Sequence, residues 1–511
     1  MTWRVSDLER AAEAAFARLS RQSGVREVEV FVSANTSLFV RLNYTSHIPC
    51  NGVEEPKSMT SYGIGVRAAF DSPEGVVVGF GAEPGRIDPE GAERALEKAR
   101  RYAVRDPEFV SLPKPTGERR RLKRYHDPAL MSLSGRQLVA AGWQVIEAAL
   151  EVFAADETVR PADGLIIGGD VTVLQEQIAV RSTHLPGVQT DQSALIVSTV
   201  TAMVEAQGAK GTGWSAHTRL EAFDGGAGAE AARNALNGRG GVRVSAGRYR
   251  VILGPQPVAD LVNNLLAPAL SLETFYAAAS PFTGKLGRRV AHPDLNVYDD
   301  GAARGLVGSK GITCEGLPTG RTWLIRGGRL VGLLANWYEA QRIRLDPRAV
   351  EKLGADPNRF ARGLLPRNGF RFGRGGGRHF DTPPGVYPTN VVITGRKPVP
   401  REELFRLVGD GLYIGRIWYT YPINGLRAGD FTCTVVGDSY VIRDGQIMGP
   451  LKPNTVRIND SIHRVLNSIL GIGSTARPTL VWASDEVTYA PEIAVDGLQV
   501  EEVAGFLEPG R

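Results

Sequence analysis

A chain of 511 residues, 42% hydrophobic and 23% charged, is too long for one hydrophobic core and too ordinary in composition for disorder, so two or three domains are expected. Its net charge of +5 mixes both signs along the sequence, which argues against a dedicated nucleic-acid binder. The 60 glycines and 31 prolines imply many turns, and with them a β-rich architecture rather than a helical bundle.

Residues 6–20 place Leu8, Ala11, Ala15 and Leu19 at helical spacing, with Ser6 as cap, Asp7 and Glu9 in the first turn and Gly24 beyond the end. The acids Asp7, Glu9 and Glu13 fit neither a secretory signal nor a transit peptide. No run reaches the roughly 20 apolar residues that cross a bilayer. The best, 194–204, is broken by Ser198, Thr199 and Thr201. Cys50, Cys314 and Cys433 are odd in number and far apart, which suits a reducing compartment better than a disulfide framework. The expected location is the cytoplasm, with no membrane partner.

Alternation predicts strands at 28–32 and 36–42, then a pair at 63–70 and 75–80 around the turn Asp71 to Gly75. A helix over 89–104, with Pro89 in its first turn, completes an α+β domain at residues 1–116. The basic run 117–124 reads as a solvated connector rather than an anion site. The middle domain, 117–240, reads as a helix at 134–155, strands at 164–167, 171–180 and 194–204, and a helix at 225–236.

The C-terminal domain, 241–511, is dense in short strands. These include 249–253, then 322–325 with 330–334 across Gly327-Gly328, and 440–442 turning at Asp444-Gly445. A large curved antiparallel sheet is expected, with helices over 258–270 and 462–470 packed on it. The fold class is α+β. No repeat of solenoid period occurs. The Arg- and Gly-rich segment 362–380 could track single-stranded nucleic acid, but one short stretch reads better as a mobile loop over a cavity that touches peptide.

Few residues announce chemistry. The histidines are His47, His126, His184, His217, His292, His379 and His463, and no two lie within a helical turn, so a two-histidine zinc helix is absent. Asp299, Asp300 and Glu315 lie close in sequence, and Asp430 and Asp438 flank Cys433. Oxygen-only sets suit Mg²⁺ or Ca²⁺, yet turn-capping roles explain these acids better. Cys433, on a strand, reads as a small buried hydrophobe before it reads as a nucleophile. The segments at Lys285 and at 305–310 lack the phosphate-loop pattern, and there is no Gly-x-Ser-x-Gly elbow.

From Tyr249 onward the motifs fall into a recognisable order. Ser280-Pro-Phe-Thr-Gly-Lys-Leu-Gly-Arg-Arg-Val-Ala-His-Pro293 is followed by Asp299-Asp300, Glu315-Gly-Leu-Pro-Thr319, Pro388-Thr389-Asn390, Gly429-Asp430-Phe431 and Ile442-Arg-Asp-Gly-Gln-Ile447. This series resembles the C-terminal domain of the TldD/TldE (PmbA) family, and residues 63–70 with the helix after Pro89 resemble its N-terminal domain. The resemblance implies an N-terminal α/β sandwich-like domain, a small middle domain and the large C-terminal domain. TldD-like members carry HExxxH on the helix after the strand equivalent to 249–253, plus a late Cys. Here that helix reads Val258-Ala-Asp-Leu-Val-Asn-Asn-Leu-Leu-Ala-Pro268, with Asp260 its only acid, and 471–478 holds no Cys. The similarity is therefore to the TldE-like type lacking the zinc motif. It implies a non-catalytic subunit of a heterodimeric metalloprotease that acts on unfolded peptides. No catalytic, cofactor or metal residue is expected in this chain, and zinc is expected in a TldD-like HExxxH partner; self-association stays open. The alternatives are an autonomous hydrolase using carboxylates or Cys433 and, more weakly, a nucleic-acid or topoisomerase-associated binder.

Overall fold

A computed structural model describes residues 3–48, 51–73, 75–372, 376–481 and 487–503, so Cys50 and part of the 362–380 segment lie outside the described residues. Among them, eight strands form one antiparallel sheet. Its spatial order is Val104–Arg105, Gly75–Pro84, Lys57–Ser72, Val25–Thr45, Leu165–Ser182, Gln189–Val204 and Ala209–His217, with Gly52–Val53 attached to Val25–Thr45. The expected strands 28–32 and 36–42 are one strand of 21 residues. It pairs with Leu165–Ser182 from Glu29↔Ser182 to Thr45↔Ile166. The segments 1–116 and 117–240 thus share one sheet, and the boundary drawn between them runs through it.

Sheet periodicity sorts the long strand. Val28, Val30, Val32, Ala34, Val40 and Leu42 point to one face, which all four long helices of this unit cover. Val5–Leu19 and Pro89–Arg101 cover one half, and Gly135–Ala154 and Gly226–Asn237 the other. Their starts are set locally. Asp88 accepts from the Gly91 N–H at 2.8 Å, and Ser134 with Gln137 forms a capping box; the first helix starts after Arg4 rather than at Ser6, and Asp7 accepts from the Arg4 N–H at 2.9 Å. The opposite face carries Glu29, Phe31, Ser33 and Asn35, all buried against the C-terminal unit. Two-sided cover explains why alternation fails over 27–35, where every residue is buried.

The C-terminal unit is a 13-stranded sheet among the described residues, and it is mixed rather than wholly antiparallel. Asn390–Gly395 runs parallel to Val487–Glu502, and Gly247–Leu253 parallel to Gly411–Ile414. Parallel pairing needs a long crossover, which the helices between residues 253 and 411 supply for the second pair. Val487–Glu502 is the hub, pairing with Asn390–Gly395, Gly247–Leu253, Val456–Ser461 and Ile469–Thr479. The last of these contacts corrects the expected helix 462–470. It stops at Asn467, because Ile469 onward is claimed by the hub strand.

Candidate functional site

The helix after Gly247–Leu253 begins at Pro255, widens into a π turn at Val262–Leu266 and ends at Ala269. Single π turns mark an inserted residue and often border functional sites. Asp260 is buried and accepts a hydrogen bond from the Thr420 hydroxyl. Burial raises its carboxyl to about 6, against the Thr420 bond that lowers it. The neighbouring Cys433 is 1% exposed within the apolar core, and burial pushes its thiol far above the usual range. Such a thiol stays protonated at neutral pH, so Cys433 packs and does not attack.

Beside the start of this helix, at Pro255, a cleft of about 570 Å³ opens between the two units. Trp214 and Glu230 line it from the first unit, and Arg401, Tyr413, Asp438, Tyr440, Arg477 and Glu492 from the second. Arg477 forks onto Glu230 with two bonds of 2.6 Å and lies 3.8 Å over the Trp214 ring. Arg401 reaches both Glu492 oxygens at 3.1 Å, and the Tyr413 hydroxyl donates to the same carboxylate at 2.9 Å. Asp438 sits at φ +50 in a tight turn, and its Oδ2 accepts from Thr212. Its Oδ1 is buried without a hydrogen-bond partner among the described residues. Burial raises this carboxyl to about 6. The cleft therefore combines paired cations, aromatic faces and one carboxyl with spare acceptor capacity. Sequence reasoning reached only Asp438 of this group, since the other residues are scattered and carry no motif.

The remaining acids named from sequence do not converge. Asp299 accepts from the Thr389 N–H at 2.7 Å and the Asn368 amide at 2.8 Å, and Asp300 pairs with Arg321 at 2.8 Å. Glu315 accepts from the Trp337 N–H at 2.9 Å. Burial raises Asp299 and Glu315 to about 7. These bonds reach groups 21 to 90 residues away, and Asp299 and Asp300 lie on the strand Leu295–Asp300, so these partners are not those of hairpin-turn caps.

The described residues of the segment 362–380 depart from the expected mobile loop. Arg371 and Arg378 are fully buried between the units. Arg371 donates to Glu29 at 2.7 Å and to the Thr382 carbonyl at 2.7 Å, and its guanidinium lies 4.8 Å from the Phe31 ring centroid. Arg378 donates to Asp191 at 2.8 Å and its N–H to Glu176 at 2.7 Å; Lys310 binds the same Glu176. A glycine-rich backbone lets these arginines reach inward, where carboxylates on the sheet neutralise them. The basic connector 117–124 is likewise only partly solvated. Arg120 bonds Asp191 at 2.7 Å and Leu122 is buried.

A family model described as the PmbA/TldA metallopeptidase C-terminal domain matches residues 246–502, half of the chain. The chain belongs to the PmbA/TldD metallopeptidase family. A metalloprotease of Synechocystis is 30% identical over 187 residues, 37% of this chain and 34% of that protein. The metalloprotease TldD homologue of Haemophilus influenzae is 32% identical over 112 residues, 22% and 23% of the two chains. The matched stretches thus span about a third and a quarter of these relatives. TldE from Thermococcus kodakarensis superposes with a TM-score of 0.76 at 19% identity, covering 96% of this chain and all of that one. A Thermotoga maritima protein described as a candidate modulator of a DNA gyrase gives 0.74 at 18%, covering 96% and 99%. At such identity these two establish the fold.

Proposed function

We propose that this chain is the zinc-less, TldE-like subunit of a two-chain cytoplasmic metallopeptidase that degrades unfolded peptides, its TldD-like partner carrying HExxxH and the zinc. The observation that carries the reading is the donor chemistry of the helix from Pro255 to Ala269. Its π turn presents Val262, Asn263, Asn264, Leu265 and Leu266, and its one carboxylate, Asp260, is engaged by Thr420. Zinc in such sites takes imidazole, thiolate or carboxylate, and this set does not fit it. Peptide capture draws support from Arg416–Ile423, which pairs on one side with Asp430–Gly437 and has no strand on its other side among the described residues. Tyr419 and Tyr421 stand exposed on it. An extended peptide adds to such an edge through main-chain hydrogen bonds, independent of its sequence.

Co-expression with a TldD-like protein tests the reading through native mass, metal content and peptide cleavage. The expected result is a heterodimer with one zinc per pair and cleavage only by the pair. One zinc held by this chain alone against a mild chelator, or no association with the TldD-like chain, overturns it.

A further inference from the structure

We propose that Ser61, His379 and Asp381 form a nucleophilic triad that hydrolyses small carboxylic esters, an activity of this chain alone that goes beyond the role of a partner to a zinc subunit. Ser61 Oγ lies 2.6 Å from His379 Nε2, and His379 Nδ1 lies 2.6 Å from Asp381 Oδ1. A carboxylate only accepts, so the neutral imidazole carries its proton on Nδ1 and turns the Nε2 lone pair to the Ser61 hydroxyl. That is the tautomer a general base needs. A histidine that merely anchored Ser61 would do so in either tautomer; the carboxylate behind it selects the reactive one.

The base is held in place. The His379 backbone N–H donates to the Arg371 carbonyl at 2.6 Å, and its ring stacks on Phe380 with centroids 4.6 Å apart. Phe380 in turn lies against Gly63, where a Cβ would come within 2.7 Å of the ring. The site stands at the rim of the contact between the units. Ser61 is half-buried, the Asp381 side chain is 50% exposed, and Met59, two residues back on the same face, is exposed. The neighbouring strand Gly75–Pro84 ends opposite Gly63, which leaves residues 57–61 with one open edge among the described residues. The Tyr62 carbonyl accepts from the Gly85 N–H at 2.9 Å. In an extended strand a residue's N–H and C=O point the same way, so the Tyr62 N–H faces that edge, one residue past the nucleophile. A half-buried serine at such a rim is reached by small acyl groups.

In the first step Ser61 Oγ bonds to the ester carbonyl carbon while its proton passes to His379 Nε2. The carbon–oxygen bond to the leaving group breaks and that proton goes to the departing alcohol. Water then attacks the acyl-serine, giving its proton to His379, and the carboxylic acid leaves as Ser61 Oγ recovers the proton. Asp381 acts through His379 and is a positioning residue.

The test uses the full chain without a partner, a fluorophosphonate probe and p-nitrophenyl acetate. One adduct, mapped to Ser61, is expected, and Ser61→Ala should remove both labelling and ester turnover. Asp381→Asn should slow labelling by about 100-fold or more, with partial rescue by Asp381→Glu and an unchanged melting temperature. No adduct, an adduct at another residue, ester turnover surviving Ser61→Ala, or labelling indifferent to Asp381→Asn each overturns the triad. Because no zinc subunit is present, none of these outcomes bears on the heterodimer reading.

Discussion

Glu176 is almost fully buried, and burial opposes its charge, yet Lys310 and Arg378 hold its carboxyl down at about 2. Glu176→Gln would leave Lys310 buried without its counter-charge and Arg378 with Asp191 alone, a loss of about 3–5 kcal/mol at neutral pH by chemical denaturation. The unfolded carboxyl titrates near 4.3, above the folded value. The stabilisation is therefore complete above about pH 4.5 and lost as pH falls toward 2. The parent should lose stability steeply across that window and Glu176→Gln should not. Asp260 has the opposite sign. Its folded value, about 6, lies above the unfolded one near 3.9, so ionisation weakens the native state as pH rises through that interval. Asp260→Asn keeps an acceptor for Thr420. It should unfold at higher denaturant than the parent at pH 8, by up to about 3 kcal/mol, and at the same denaturant as the parent at pH 4. Sequence made Asp260 legible as the lone acid of its helix and Cys433 as a packed thiol. It left Arg371 and Arg378 on a presumed loop, because the carboxylates that bury them, Glu29 and Glu176, are 342 and 202 residues away.

The helices of the first unit approach their sheet closely at each end. A Cβ on Gly81 would stand 2.1 Å from the Ala95 carbonyl oxygen, and one on Gly213 2.1 Å from that of Ala227. Strand glycines beneath alanine-rich helices bring backbone to backbone, and a methyl group there forces the layers apart. Gly81→Ala and Gly213→Ala should each cost about 2–4 kcal/mol. Gly449→Ala, where a Cβ meets nothing within 4 Å, should change stability by under about 0.5 kcal/mol. Helices at 89–101, 135–154 and 226–237 were legible within a few residues, since caps and apolar spacing are local signals. The long strands were legible only in fragments. Where both faces are buried the alternation that marks a strand disappears, and where the hub strand recruits Ile469 the local helical pattern loses to pairing.

At the scale of the molecule, two sheets meet across a layer of paired charges, flanked by the cleft at Asp438 and the rim at Ser61. The family was readable from ordered motifs in the C-terminal half. The cleft was not, because Trp214 and Glu230 on one unit meet Arg477 on the other only after folding. The hub strand has a consequence for the order in which the protein is made. A ribosome releases Val487–Glu502 after all four strands it joins, so the second sheet lacks its centre throughout translation of residues 247–479. The first sheet needs nothing beyond residue 217 to close its pairing. A chain stopped after residue 481 should give limited proteolysis that spares residues 3–240 and consumes the rest. Equal protection of both halves would contradict this sequence of events. Until the hub strand emerges, the nascent second half holds only separate groups of paired strands with no strand to join them, an apolar client for chaperones.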